Sequence, residues 1–564
     1  MIDLKKFTFL NVLNNSAQKF EERPFIGFVD QVKINYKEFK SKVETISNFL
    51  KSEGIIAGNK VAILSENHPH WGIAYFAITT IGAIAVPIMT EFHSSEVHHI
   101  LRHSESKAIF ISAKYFNKIE DANIDSLMTR ILLEDFSVIP ADTKNDIIKE
   151  VVTTGKKEFA KIKEAAFKLV GLIPDEVQED NIASILYTSG TTGHSKGVML
   201  THKNIISDAL STLNLVHVDQ NDRMLSILPL FHTIESTLGL VVPFIAGASV
   251  TYLDKPPTAA ALLPALQKVK PTVMLAVPLV IEKIYRNRIL PEFNKKIIVR
   301  GLYKIPALRK RLNRIAGRKL MHTFGGELRM FCIGGASLAA DVENFLNEAQ
   351  FPYAIGYGLT ETSPLVTGTG PEGVKLRSAG KAMLWMSVKI NNPDPKTGEG
   401  EVLIKGPNVM KGYYKDSERT KEVITDDGWF KSGDLGVIDN DGYLFIKGRL
   451  KNVIIGPNGK NIYPEEMESI INEFPYVSES LVINVNDQLV AKIYLNYDQI
   501  DEQFKIQKLT VPEARNIVNK ILDDLLIQIN QRLNTFSRIN KIVEQLEPFE
   551  KTPTQKIKRF LYVS

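Results

Sequence analysis

Between Tyr187 and Gly197 the chain reads Tyr-Thr-Ser-Gly-Thr-Thr-Gly-His-Ser-Lys-Gly, directly after the apolar run Ile182–Leu186. Thr188, Ser189, Thr191 and Thr192 supply hydroxyl donors, and Lys196 supplies a mobile cation. Gly190, Gly193 and Gly197 are expected to take positive φ and bring backbone N–H groups toward an anion. This composition suits a polyphosphate, although a ligand-free hairpin turn can have the same residues. A nucleoside-triphosphatase loop of the form G-x-x-x-x-G-K-[ST] is excluded, because Lys196 follows Ser195 and precedes Gly197.

Four further clusters carry candidate chemistry. In Gly356-Tyr-Gly-Leu-Thr-Glu361, Tyr357 lies between Gly356 and Gly358 and is followed by the Thr360 hydroxyl and the Glu361 carboxylate, so a planar base could stack there with a magnesium ligand next to it. Lys431-Ser-Gly-Asp434 offers an acid at a tight turn, suited to ribose hydroxyls. Arg449 and Lys451 flank a change in sequence texture. Lys556 sits in the Thr/Pro-rich stretch Lys551–Arg559. Each cluster alone also fits a turn, a capped strand or a solvated basic tail. In Leu228-Pro-Leu-Phe-His-Thr-Ile-Glu235, His232 and Glu235 are too few for a closed metal site. His232 suits a wall of a carboxylate site, or a satisfied structural role.

The elements that must hold these residues alternate. Val61–Leu64, Ala83–Ile88, Ala108–Ser112 and Ile131–Leu133 read as strands and Trp71–Ile81 and Ser94–Arg102 as helices, which implies a doubly wound parallel sheet, α/β in class. Residues 144–168 read as a charged helical spacer. The pattern recurs at Met330–Ile333, followed by Gly334-Gly335-Ala336 and a helix capped by Ser337. Tyr353–Ile355 is the next strand. Beyond about residue 400, Glu401–Lys405, Val437–Ile438 and Tyr443–Lys447 suggest a small antiparallel unit. The remainder reads α+β, with a hairpin Leu481–Val485 to Val490–Leu495 and a helix from Pro512 carrying Ile517, Ile521, Leu525 and Ile529 on one stripe. The expected division is 1–448, a hinge at 449–451, and a mobile domain at 452–564.

In this order and at these separations the clusters resemble the AMP-forming adenylating superfamily: acyl-CoA synthetases, adenylation domains of peptide synthetases, and luciferases. The resemblance runs from Leu64-Ser-Glu-Asn-His-Pro69 to Lys556. It implies that Thr188–Lys196 holds the triphosphate of ATP, that Gly334, Gly335, Ala336 and Tyr357 frame adenine, and that Thr360 and Glu361 serve phosphate and Mg²⁺. Asp434 and Arg449 would contact ribose, Lys451 would be the hinge, and Lys556 the lysine of the adenylation step. The His232–Glu235 element and Thr552-Pro-Thr-Gln-Lys556 are similar to those of long-chain fatty acid–CoA ligases. Ser195 and Gln555 depart from the usual proline and glycine. The implied partners are a long-chain fatty acid, ATP and coenzyme A. A carrier-protein phosphopantetheine as acceptor is the nearest rival, and a catalytically silent acyl-binding or scaffold protein is the rival from another class.

Composition bounds the rest. The 564 residues exceed one core, and 44% apolar with 24% charged residues is globular usage. A formal charge of +5 neither requires nor excludes an anionic partner. The one cysteine, Cys332, reads as a buried thiol. The N-terminus carries no sustained apolar h-region, so a cytoplasmic location is expected. Trp71–Met89 is broken by Gly82 and Pro87, which argues against a spanning helix. From Phe293 to Gly326 there are ten Lys/Arg and no acid, with Leu308, Leu312 and Ile315 on one helical face. That pattern fits peripheral contact of 293–326 with anionic membrane, or a solvated face. Nucleic acid is not an expected partner, since no nucleic-acid fold accompanies the charge.

Overall fold

The computed structural model describes residues 4–120, 124–140, 143, 145, 176–188, 195–294, 297–455, 461–486, 488–551 and 557–562. The expected spacer helix at 144–168 lies almost wholly outside them. Two large sheets carry the first part of the chain. In the eight-stranded one, Ile84–Pro87, Lys60–Leu64, Ser106–Ile111 and Thr129–Leu132 run parallel. Ile182–Thr188 continues this parallel set and then turns back antiparallel into Lys196–Thr201. Gly412–Tyr413 adds the edge beyond Lys196–Thr201. The β-branched runs form strands because both sheet faces are buried, and helix Pro69–Thr80, apolar all round, is buried along its length.

The second sheet has nine strands. Tyr353–Gly358, Met330–Ile333, Val273–Ala276, Arg223–Ser226, Ser249–Tyr252 and Pro24–Phe28 lie side by side in parallel. Leu365–Gly368 then pairs antiparallel with Tyr353–Gly358. The expected strand Tyr353–Ile355 is therefore longer, and Gly356, Tyr357 and Gly358 belong to it. Asn67 bolts the two sheets together. Its amide donates to the Leu228 carbonyl at 2.6 Å and accepts from the Leu230 N–H at 2.8 Å.

Helix Ala340–Glu348 follows Met330–Ile333, but Ser337 does not cap it. Its N-cap is Ala339, whose N–H donates to Glu282 Oε1 at 2.9 Å, so a carboxylate from another helix takes an orphan donor near the helix start. Beyond it stands the expected antiparallel unit, four strands in the order Ser387–Asn391, Gly400–Lys405, Phe430–Ile438, Leu444–Arg449. The last part builds its own core from the hairpin Val477–Val485 and Gln488–Leu495, a parallel third strand Lys541–Gln545, and helix Val511–Arg532. Val518, Ile521, Leu525 and Ile529 are that helix's buried stripe, while Ile517 packs at its margin. No described helix is long and apolar enough to cross a membrane.

Candidate functional site

A cleft of about 2880 Å³ opens between the two large sheets, the antiparallel unit and the last part of the chain. Thr188, Lys196, His232, Gly335, Ala336, Tyr357, Gly358, Thr360, Glu361, Asp434, Arg449 and Lys451 all line it. Thr188 and Lys196 face each other as the last register pair of their hairpin, at the mouth of the turn. Ser189, Gly190, Thr191, Thr192 and Gly193 lie outside the described residues. Gly197 corrects an expectation. Its φ is not positive, and its lack of a side chain serves space instead, since a Cβ there would meet Ile185 at 2.9 Å and Tyr414 at 3.2 Å.

Lys196 places its ammonium 5.1 Å from the ring centroid of Tyr413. Burial, and then the nearby Arg419, hold its pKa below the ordinary lysine range. The Tyr413 hydroxyl donates to Glu361 Oε1 at 2.9 Å, so the lysine and the carboxylate share one tyrosine between them. Glu361 is held from behind as well, because its carbonyl accepts from the Met410 N–H at 2.8 Å. Tyr413 escaped the sequence analysis. Its signal, the Gly-Tyr-Tyr run at 412–414, is too short to separate from an ordinary strand.

Elsewhere on the cleft lining the Tyr357 hydroxyl donates to Asp434 Oδ2 at 2.7 Å, and Arg449 Nε meets Asp434 Oδ1 at 2.8 Å. Asp434 is buried at the centre of this chain of contacts, and its own N–H donates to the Ser432 hydroxyl at 3.0 Å. Burial, followed by the Asp434 charge, holds the Tyr357 phenol well above its ordinary pKa. A ring, an acid and a guanidinium from three segments are thus aligned along one wall. Gly335 has φ +86°, a left-handed value suited to glycine. Gly358 is required for a different reason than ligand approach, since a Cβ there would lie 1.7 Å from the Pro364 carbonyl oxygen.

The turn carrying Thr360 and Glu361 is fixed by a network the sequence did not reveal. The Asn408 amide donates to the Thr362 and Leu365 carbonyls, both at 2.8 Å. Asp208, fully buried on another helix, accepts from the Leu365 N–H at 3.1 Å and is held well above its ordinary pKa by burial. These residues lie about 200 positions apart, and no local pattern joins them.

The expected His232–Glu235 pair divides. His232 stands on the cleft wall beside Phe231, while Glu235 turns inward beneath it, accepting from the Ser226 hydroxyl. Burial pushes the Glu235 carboxyl up to about 8. No group of three or more His, Cys, Asp or Glu placed to hold a metal occurs among the described residues. Behind Ile234, Gly335 and Gly356 lies an apolar cavity of about 70 Å³, lined by side chains such as Leu215, Val216, Leu238, Val242, Leu275 and Cys332. Burial pushes the Cys332 thiol up to about 12, so it lines this space as a small hydrophobe.

Lys451 lies in the turn Leu450–Asn452, at the end of the antiparallel unit. Lys556 is outside the described residues, but Lys551 and Ile557, which flank that stretch, both line the cleft.

Residues 13–414 match the family described as AMP-binding enzyme, which is most of the chain. The chain belongs to this family. A long-chain-fatty-acid–CoA ligase of Mycobacterium bovis is 28% identical over 567 residues, covering 93% of this chain and 89% of its own. A chloroplastic long-chain-fatty-acid–[acyl-carrier-protein] ligase of Arabidopsis thaliana is 26% identical over 557 residues, covering 86% and 76%. Among solved structures, ATP-bound MatB from Rhodopseudomonas palustris shares the fold, with a TM-score of 0.75 at 23% identity over 98% of both chains.

Proposed function

We propose that the protein activates a long-chain fatty acid as its acyl-adenylate and transfers the acyl group to coenzyme A. The observation that carries this reading is the convergence on one cleft of a Thr188/Lys196 hairpin, a Glu361 turn and a Tyr357–Asp434–Arg449 wall, with an apolar cavity opening behind it. The hairpin suits the β- and γ-phosphates. Gly334, Gly335, Ala336 and Tyr357 suit adenine, and Asp434 with Arg449 suits ribose. A Mg²⁺ ion fits Thr360 and Glu361, because such ions take one or two carboxylates and fill their remaining positions from phosphate and water. Bound there, it would neutralise charge on the phosphates.

In the first half-reaction a carboxylate oxygen of the fatty acid bonds to the α-phosphorus of ATP, and the bond to the bridging oxygen breaks. Pyrophosphate leaves with that electron pair, along the hairpin. Lys196, and Lys556 in this reading, offset the charge that builds on the phosphates. His232 forms the wall beside the reacting carboxylate. In the second half the thiol sulfur of coenzyme A bonds to the acyl carbonyl carbon, AMP leaves, and the thiol proton passes to water. Lys556 has no part in that step, so residues 452–564 would swing about 449–451 between the two halves.

The long-chain assignment draws support from the Mycobacterium bovis relative and from the apolar cavity, which has no charged lining residue. That cavity is smaller than a long acyl chain, so a bound chain would have to displace lining side chains such as Ile234 and Leu238. A panel of carboxylic acids, scored for ATP-dependent pyrophosphate release with and without coenzyme A, tests the reading. Long-chain acids should release pyrophosphate fastest and yield acyl-CoA. Adenylate that forms but reacts only with a phosphopantetheinylated carrier protein would move the acceptor to the carrier, as in the name of the Arabidopsis relative. Absence of pyrophosphate release with every acid would overturn the proposal.

A further inference from the structure

The segment that closes one side of the cleft continues into a surface the proposed reaction does not use. Pro278, Lys283, Arg286, Leu290 and Arg300 line the cleft, and the chain then forms helices Ile297–Tyr303 and Pro306–Thr323. The inner side of this pair is fully engaged. Arg309 makes a two-pronged contact with Glu348, at 3.0 Å from Nε and 2.6 Å from Nη2, and Asn313 donates to the same carboxylate at 2.8 Å. Tyr303 stacks on Phe293 and donates to Asn313. At Gly317 a Cβ would lie 2.7 Å from the Ala349 carbonyl oxygen, so the helix is seated tightly.

The outer side is different. Lys304, Lys310, Arg311, Arg314, Arg318 and Lys319 are exposed, and among the described residues none of them forms an ion pair. Between them stand Leu302, Ile305 and Ile315, which are 38%, 49% and 47% exposed. This corrects the apolar stripe expected from sequence. Leu308 and Leu312 are half-buried, with Leu312 against the core, and only Ile315 of the three projects outward, joined there by Leu302 and Ile305.

We infer that this face docks on an anionic lipid bilayer. Six unpaired cations with three aliphatic side chains among them complement a negative headgroup layer over a shallow apolar one. A single-stranded nucleic acid would call for aromatic platforms, and among the described residues no exposed aromatic side chain stands on this face, since Tyr303 is half-buried and stacked on Phe293. The seating of the inner side matters as much as the charge. The pair is fixed to the body of the enzyme through Glu348 and Ala349, so a bilayer bound there lies beside the cleft wall formed by residues 278–300. Long acyl chains partition into that bilayer, and docking brings their source to the mouth of the site.

The test is co-sedimentation of the full-length protein with vesicles of phosphatidylcholine alone and of phosphatidylcholine with phosphatidylglycerol, at low and at physiological salt. Wild type should sediment with the anionic vesicles, less so as salt rises, and should ignore the neutral ones. The variant Lys310→Ser/Arg311→Ser/Arg314→Ser/Arg318→Ser should lose at least about tenfold in partition coefficient, since each lipid-facing cation contributes about fivefold. Its thermal melt should stay close to wild type, as none of the four donates a hydrogen bond to the inner contacts and Lys310 adds only its charge near Glu348. The charge-preserving variant Arg311→Lys/Arg314→Lys should bind as wild type does, and Ile305→Ser/Ile315→Ser should bind more weakly at both salts. Equal sedimentation of wild type and the quadruple serine variant overturns the inference. So does a wild type that ignores both kinds of vesicle, which would point to an acidic protein as the partner. Pyrophosphate release from a short, water-soluble acid is measured in parallel without vesicles, so failure of docking is distinguishable from failure of the proposed reaction.

Discussion

The two sides of the cleft are held in opposite ways. On one side the Glu361 turn is bound through Asn408, Asp208 and Met410, all contacts within buried structure, and the Tyr357–Asp434–Arg449 wall is closed by hydrogen bonds at each link. On the other side, residues 452–562 meet the body through polar side-chain contacts near the surface, Tyr463 to Glu399 at 2.6 Å and Lys447 to Glu466 at 3.3 Å. An ion pair at the surface such as Lys447–Glu466 contributes about 0–1 kcal/mol, and a hydrogen bond to a charged group such as Tyr463–Glu399 about 1.5–3 kcal/mol. The groups proposed to stabilise phosphate charge are therefore preorganised on one side, while the other side can be released at small cost.

The sharpest way to break this comparison is Lys556→Ala. In the proposed reaction Lys556 stabilises charge only in adenylation, so its removal should slow acyl-adenylate formation on the order of 10²–10³-fold. Thioester formation from supplied acyl-adenylate and coenzyme A should proceed at the wild-type rate. Equal loss in both half-reactions, measured separately by rapid quench, would remove the division of labour between the two sides.

Next in size is Lys451→Pro. Proline fixes φ near about −65° and disfavours the helical conformation of Leu450, which lies in the same short turn. Only one orientation of the last part should persist, and the ratio of the two half-reaction rates should shift by about tenfold or more. A proportional fall in both, with a lowered melting temperature, would indicate misfolding instead.

Asn408→Ala probes the fixed side. It leaves the buried Thr362 carbonyl and the part-buried Leu365 carbonyl without this donor, which should cost about 2–3 kcal/mol of stability. Both half-reactions should fall together, because the Glu361 turn serves the site in either orientation. Chemical denaturation reads the first effect and the paired rates the second.

The smallest effect concerns pH. Glu235 is held at about 8 in the folded protein against an ordinary value of 4.5, so the folded state binds the proton more tightly. Its contribution is fully present below pH 4.5 and is lost as pH rises toward 8, because the unfolded carboxyl ionises first. Glu235→Gln cannot ionise. The difference in melting temperature between variant and wild type should move in the variant's favour across that window and stay constant above it. A difference independent of pH would show that this carboxyl does not titrate with unfolding.

What the sequence disclosed follows the range of the interactions involved. The parallel strands and the helix stripe Ile521, Leu525 and Ile529 were legible because periodicity is local. Lys196, Tyr357 and Asp434 were legible because each stands in a short local run of glycines and polar residues, although the groups they meet in the cleft, Tyr413 for Lys196 and Asp434 for Tyr357, are far off in sequence. Ser337 failed as a cap because Glu282, far back in the chain, already serves the N–H of Ala339. The Asp208–Asn408 pair and the strand Lys541–Gln545 were hidden for the same reason, since each is chosen by a partner that only the folded chain brings near. Gly197 carried a correct signal for glycine with the wrong cause attached, space rather than backbone angle.

The order in which the sheets are threaded bears on how the protein is made. Pro24–Phe28 finds its parallel neighbour only at Ser249–Tyr252, and the Lys196–Thr201 strand is flanked on its outer side only by Gly412–Tyr413. A nascent chain must therefore carry unpaired strand edges through much of its translation, and such edges are templates for association. A ribosome stalled before residue 412 would release a chain whose hairpin of Ile182–Thr188 and Lys196–Thr201 is still an open sheet margin. For this enzyme the vulnerable interval is the time between synthesis of the hairpin and arrival of its cover.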